Sequence, residues 1–160
     1  MLVSFGVTSP FIQVHINETV DIIKNKQKVE DLIEHCLKNI YFTYNGHKYR
    51  QTEGAPMGSP VSHIIANIIM EDIETMVLNT SKYRPKLWLS YVDDTFIICT
   101  YSEDKLQDLL LHLNSIHPKI KSTTGIEYPN QLPFLNILVI KKRDGTLGHT
   151  VYRKATHSNY

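Results

Sequence analysis

Residues 87–100 contain two apolar, β-prone runs that meet at a pair of adjacent aspartates, Asp93 and Asp94. Strands rich in Trp, Tyr, Val, Ile and Phe favour burial. An adjacent pair of carboxylates does not, unless water or a cation neutralises it. The segment is therefore predicted to form a β-hairpin with the two aspartates at its turn. Taken alone, this hairpin is compatible both with a metal-binding site and with an ordinary turn, because Asp is a common turn residue.

The rest of the chain alternates between strand and helix patterns, which favours an α+β domain. Residues 2–7 alternate like a strand, and Asn45-Gly46-His47 supplies the turn of a second hairpin. The pattern predicts strands over 41–44, 48–51, 120–128, 132–142 and 146–152, with helical segments after Asn17, after Val29, from Pro60 and after Ser102. The expected architecture is an antiparallel sheet with helices packed on one face.

Two of the helices carry clear start signals. Ser59-Pro60 opens the first, because Pro is favoured at the first helical position, and a wide apolar face then runs from Val61 to Val77. Ser102 is predicted to cap the second, whose first turn holds two acids and whose leucines recur at three-to-four spacing until Pro118. Both helices are therefore expected to pack on the core.

Composition limits the classes of protein to which the chain can belong. Apolar residues make up 42% and charged residues 21%, which is ordinary for a soluble globular domain. No apolar run is as long as a membrane span and no secretory signal pattern is present, so an intracellular protein with no membrane partner is expected. A formal net charge of +1 provides no large positive field, so any grip on a polyanion must be local.

Two motifs, in order, resemble the reverse transcriptases. Tyr91-Val92-Asp93-Asp94 in an apolar hairpin is the pattern of their second catalytic motif, and residues 51–62 resemble the upstream loop and helix on the nucleotide side. The C-terminal segments, residues 132–139 and 148–154, resemble in sequence the polymerases of Penelope-like retroelements. Together these similarities span nearly the whole chain.

The resemblance implies a polymerase palm over residues 1–160, as one partial domain with fingers and thumb largely missing. The implied partners are an RNA template, a DNA primer, the missing fingers and thumb segments, and no small-molecule cofactor beyond the incoming dNTP. Phe11 matches the bulky residue under the sugar, although an ordinary core role explains it nearly as well. The nucleotide-side loop corresponds to Gly54, Ala55, Pro56, Met57, Gly58 and Ser59.

The resemblance also implies chemistry with two magnesium ions, which need carboxylate ligands. Asp93 and Asp94 would be catalytic metal ligands, and a third aspartate at the end of the first palm strand would bridge both ions. Gly6 stands at that third position in this chain. Because glycine has no side-chain oxygen, the sequence predicts a degenerate copy that binds Mg²⁺ poorly and is catalytically defective.

Three functional interpretations follow from these patterns. The first is a fragment of a retrotransposon-derived RNA-directed DNA polymerase, inactive as it stands. The second is a non-catalytic domain that retains the palm shape as a nucleic-acid or protein interaction module. The third is a translated remnant without function.

Overall fold

The computed structural model describes residues 1–8, 35–52, 54–56 and 59–153. The predicted strand at residues 2–7 is present as β1, Leu2–Val7. The predicted hairpin around Asn45 is present as β2, Tyr41–Tyr44, and β3, His47–Arg50, so that His47 begins the second strand instead of belonging to the turn. Phe11, Met57 and Gly58 lie outside the described residues, as do the helical segments expected after Asn17 and over most of the stretch after Val29.

Both predicted helices are present, as α1, Pro60–Thr80, and α2, Glu103–Ile116. Ser102 occupies the N-cap position of α2, but its hydroxyl makes no capping hydrogen bond; only its backbone carbonyl accepts one, from Leu106 N at 3.2 Å. No helix among the residues that the structure describes is long and apolar enough to span a membrane.

The aspartate-bearing segment forms the predicted hairpin, with strands β4, Leu87–Tyr91, and β5, Asp94–Ile98. These strands join β1 and β6, Ser122–Ile126, in a four-stranded antiparallel sheet of order β4-β5-β1-β6. β1 thus lies between the aspartate hairpin and β6, which sets the end of β1 beside the turn of that hairpin.

The single strand predicted over residues 132–142 is wrong, because the structure divides it into a hairpin. β7, Gln131–Phe134, and β8, Ile137–Lys141, are joined by a two-residue turn at which Leu135 has φ +52°. β8 also pairs with β9, Leu147–Val151, so β7 is an edge strand of a separate three-stranded sheet. This edge position suits Pro133, which has no N–H to donate to a ladder.

The alternation of side chains along β1 and β5 creates two cores, one on each side of the four-stranded sheet. Val3, Phe5 and Ile97 face the helices, where they pack among fully buried residues that include Ile65 and Leu106. This confirms the predicted packing of helices on one face.

The opposite face of the sheet carries a second, smaller core. Leu2 and Phe96 pack there against Leu132 and Val139 of the three-stranded sheet. Gly6 is four residues from Leu2 in β1, and Asp94 is two residues from Phe96 in β5, so both positions share this second face of the sheet.

Candidate functional site

Gly6 and Asp94 are directly opposite each other in neighbouring strands. Their α-carbons form one rung of the β1–β5 ladder, and the backbone N–H of Val7 donates a hydrogen bond to the Asp93 carbonyl at 2.9 Å. A Cβ atom built on Gly6 would lie 3.4 Å from Asp94 Oδ1, an ordinary van der Waals contact. Gly6 is not among the glycines with positive φ, so its backbone accepts an ordinary side chain. The structure thus brings all three sequence-identified positions to one end of the sheet.

The hairpin that carries the aspartates turns through Val92 and Asp93, with Tyr91 paired to Asp94. Val92 has φ +54°, a left-handed conformation that is unfavourable for a β-branched residue. A turn with positive φ at its first central position normally has glycine there. Strain of this kind beside a candidate site is held in place by the surrounding ladder.

Replacing Val92 should therefore change the free energy of unfolding in a predictable direction. Because the left-handed conformation costs an L-residue about 1–2 kcal/mol, Val92→Gly is expected to stabilise the chain by about 1 kcal/mol after the added chain entropy of glycine. Val92→Ala is the matched control and should stabilise less, because it removes only the β-branch. Urea unfolding followed by circular dichroism measures both, and a destabilised Val92→Gly variant would show that the turn is unstrained.

A cleft of about 730 Å³ lies between α1 and the tip of the aspartate hairpin. Its wall combines polar and acidic residues of α1 with the turn of the hairpin and Leu135. Four of the lining residues are acids, Glu71, Glu74, Asp93 and Asp94, and none is Lys or Arg. A cleft of this charge repels the phosphates of nucleotides and nucleic acids unless cations neutralise it.

Glu74 lines the same cleft as the two aspartates, and the sequence analysis did not identify it. It lies on α1 below β4, where hydrogen bonding to Ser90 and Trp88 only partly offsets burial, so that burial raises the pKa of its carboxyl. Its Oε1 atom is buried without a hydrogen-bond partner. The sequence held a weak signal, since Glu74 interrupts the apolar face of α1 between Ile73 and Val77, both of which are buried.

Glu74 links the stability of the chain to pH. Below pH 4.5, the ordinary pKa of the group, the Glu74 carboxyl is protonated in both the folded and the unfolded chain. As the pH rises from 4.5 to the raised pKa of the folded state, the unfolded chain ionises more readily, and the free energy of unfolding falls. We expect Glu74→Gln to raise the melting temperature at pH 8 but to leave it nearly unchanged at pH 4. Glu71→Gln, at an exposed acid one turn earlier, should have a smaller effect. Equal responses of the two variants across the pH range would contradict this linkage.

The base of the aspartate hairpin is held by side chains that face the helices. The Trp88 ring contacts Phe5 edge-on, with ring centroids 5.9 Å apart, and Trp88 Nε1 donates a hydrogen bond to Ser90 Oγ at 3.1 Å. Ser90 Oγ lies 3.4 Å from the hydroxyl of Thr95, its partner across the ladder. These contacts fix the strands that position both aspartates.

The nucleotide-side loop is held close to the start of α1. Gly54 has φ +77° and accepts a hydrogen bond from the Gln51 side-chain amide at 3.1 Å, while the buried Ser62 hydroxyl donates one to the Pro56 carbonyl at 2.6 Å. Gly54 and Ala55 are buried, whereas Pro56 and Ser59 are partly exposed. None of these four residues lines the cleft that contains the aspartates. The role of this loop in nucleotide binding therefore stays a prediction.

The described residues do not fit a pair of divalent ions. No group of three or more His, Cys, Asp or Glu side chains among them is arranged to hold a metal ion. Asp93 and Asp94 provide two carboxylates, and the rung that would supply a third is occupied by Gly6.

Comparison with known proteins supports the family to which these motifs point. The sequence profile described as "Reverse transcriptase (RNA-dependent DNA polymerase)" matches residues 1–126. No curated protein shows significant sequence similarity to the chain.

Two solved telomerase structures share the fold. An apo telomerase from Candida tropicalis, truncated from its C-terminal domain, matches 94% of this chain at 14% identity with a TM-score of 0.54. Telomerase from Candida albicans, in complex with a fragment of telomeric RNA, matches 93% at 13% identity with a TM-score of 0.65. The chain spans 35% and 30% of those two proteins, about a third of their length.

Proposed function

The chain belongs to the reverse transcriptase family, and on that premise we propose that it is the palm portion of an RNA-directed DNA polymerase that is defective in catalysis. The observation that carries this proposal is the rung between Gly6 and Asp94. A carboxylate at position 6 would stand beside Asp94 Oδ1, and glycine leaves that place without an oxygen donor.

The rest of the palm geometry supports a former polymerase. Asp93 and Asp94 lie at a strained, well-anchored turn, and the cleft beside them is large enough for a small ligand. In an active member, a bound pair of divalent ions would activate the attacking oxygen and stabilise the leaving group. In this chain, the charge of the two aspartates and that of Glu71 and Glu74 oppose the approach of phosphate.

We further propose that the source was a retrotransposon of the Penelope-like type. The support is the sequence similarity of residues 51–62, 91–94 and 132–139 to the polymerases of those elements. An RNA template and a DNA primer would be the partners of the complete protein, together with fingers and thumb segments that complete the palm.

The second candidate function is a non-catalytic module that retains the palm shape for binding. The absence of a carboxylate at Gly6 favours it, because selection for the fold could then act without selection for catalysis. The two candidates differ in what the unaltered chain is expected to do. An interaction module should bind its partner without any change at Gly6.

Primer extension on an RNA template tests the proposal. A complete Penelope-like polymerase that carries residues 1–126 of this chain in place of its own should extend a primer no more than a graft that also carries Asp93→Asn and Asp94→Asn. Extension clearly above that control would show that this palm is catalytically competent and would overturn the proposed defect.

A further inference from the structure

The β2–β3 hairpin projects from the rest of the described structure. Its strands pair only with each other, and every residue of both strands is exposed. Its base is tied down by Arg50, whose Nε and Nη2 donate to the Lys38 carbonyl at 3.0 and 2.7 Å, and by the bond from Gln51 N to the Ile40 carbonyl at 2.9 Å. Since an isolated two-stranded hairpin is marginally stable, such exposed side chains call for a function.

The ladder register separates the side chains of this hairpin into two unlike faces. The pairs Phe42–Tyr49 and Tyr44–His47 share one face, which we call the aromatic face. The pairs Tyr41–Arg50 and Thr43–Lys48 share the other, which we call the basic face. The aromatic face thus consists of four rings and contains no aliphatic side chain.

The rings of the aromatic face are open to solvent. Phe42 is 52% exposed, Tyr44 65% and Tyr49 43%. Phe42 and Tyr49 stack on each other, with centroids 5.5 Å apart and an interplanar angle of 19°. The Tyr44 ring and the outer sides of the Phe42–Tyr49 pair are therefore available to a planar ligand.

The charge around these rings indicates the kind of ligand. The hairpin itself, residues 41–50, carries Lys48 and Arg50 and contains no Asp or Glu, although the chain as a whole carries a net charge of only +1. Positive charge beside exposed aromatic rings is the combination that binds single-stranded nucleic acid, whose bases stack on the rings while cations attract the phosphates. A double helix keeps its base faces stacked internally and cannot use such rings.

We propose that the aromatic face of the β2–β3 hairpin, Phe42, Tyr44, His47 and Tyr49, is a binding surface for single-stranded nucleic acid. Bases stack on Tyr44 and on the outer sides of the Phe42–Tyr49 pair. Lys48 and Arg50, on the opposite face of the same two-stranded ribbon, attract the phosphates through space and do not contact them directly. The choice of nucleic acid as partner agrees with the proposed function, but the surface is separate from the aspartate cleft and its binding needs neither metal nor catalysis.

Two tyrosines of β2 provide a matched pair of variants for the test. Tyr41 and Tyr44 are 62% and 65% exposed, lie on opposite faces and are both outside the Phe42–Tyr49 stack. Binding of the full 160-residue chain to fluorescent oligouridylate RNA and oligothymidylate DNA is measured by anisotropy at low salt. Tyr44→Ser should weaken binding about 5- to 100-fold, the loss of one stacked base, whereas Tyr41→Ser should change it less than about twofold.

Two further variants at position 44 separate ring stacking from general apolar contact. Tyr44→Trp keeps a ring and should retain binding, while Tyr44→Leu keeps apolar area without a ring and should lose it. If Tyr44→Leu binds as well as wild type, or if Tyr41→Ser and Tyr44→Ser lose affinity equally, the proposal is overturned. Circular dichroism confirms that each variant keeps its fold.

The ligands distinguish the remaining possibilities. Binding to RNA, to DNA or to both supports the proposal and identifies whether the ribose hydroxyl contributes. Binding of a duplex as tight as that of the single strand overturns it, as does failure to bind either oligonucleotide. Self-association that depends on Tyr44 without any binding of oligonucleotides would assign the face to a protein partner instead. Because Gly6→Asp leaves the hairpin unchanged, that variant should bind oligonucleotides like wild type, so failure here is separable from failure of the proposed catalytic defect.

Discussion

Gly6→Asp is expected to give the chain a magnesium-dependent stability that the wild-type protein lacks. The new side chain starts 3.4 Å from Asp94 Oδ1, so a further carboxylate joins Asp94 at the end of β1 and β5, beside the turn that carries Asp93. Without metal, the close carboxylates repel one another and the variant should melt below wild type. With magnesium, the three oxygen donors bind the ion and the repulsion becomes attraction.

The size of this effect follows from mass action. At an ion concentration one hundred times the dissociation constant, binding stabilises the folded state by about 2.7 kcal/mol. For a chain of this length, that corresponds to an increase in melting temperature of about 5–10 °C. Wild type, which has only Asp93 and Asp94 at this turn, should shift by less than about 1 °C over the same titration.

The controls separate a bound ion from general screening by salt. Gly6→Asn has nearly the same shape and no charge, so it should show neither the loss without metal nor the gain with it. Gly6→Asp combined with Asp94→Asn should also lose the response. A magnesium shift shared by Gly6→Asn and Gly6→Asp would mean that position 6 is not a ligand position.

Local sequence patterns predicted the elements that position the candidate site. The two apolar runs around Asp93 and Asp94, the alternation of residues 2–7 and the helical periodicity of 103–116 are signals contained within single elements. The rung between Gly6 and Asp94 joins residues far apart in sequence, and the resemblance to a known family predicted it. Periodicity alone contains no information on which strands pair.

The errors arose where tertiary structure overrides a local pattern. Residues 132–142 form an apolar run that is typical of one strand, but Leu135 adopts a positive φ and the chain reverses. Leu132 and Val139 are then brought together over Phe96 in the second core. A positive φ at leucine has no sequence signature, so the apolar periodicity of this run does not reveal the turn.

The apolar face of α1 was also overestimated. The apolar face predicted from Val61 to Val77 includes Ile64 and Met76, yet these two residues are 53% and 46% exposed. Glu74, in contrast, was not singled out and lies beside the aspartate hairpin. Helical periodicity places residues on a face, but the width of the buried stripe depends on which strand and helix lie against it.

Repair of position 6 should restore primer extension to a graft that is otherwise inactive. A complete Penelope-like polymerase that contains residues 1–126 of this chain supplies the fingers and thumb that polymerisation needs. In that graft, Gly6→Asp provides the third oxygen donor beside Asp94. Because divalent ions supply several kcal/mol of transition-state stabilisation, extension on an RNA template should rise at least about 100-fold over the unrepaired graft.

The outcome of this substitution also shows whether Gly6 is the only position that limits catalysis. Gly6→Asn is the matched control and should remain at background, since it fills the same space without a carboxylate. If the Gly6→Asp graft folds and binds magnesium but does not extend a primer, the defect includes residues beyond Gly6. The Gly6→Asp substitution adds only a third carboxylate to those of Asp93 and Asp94. Extension by the graft without this substitution would therefore show that two carboxylates suffice for catalysis.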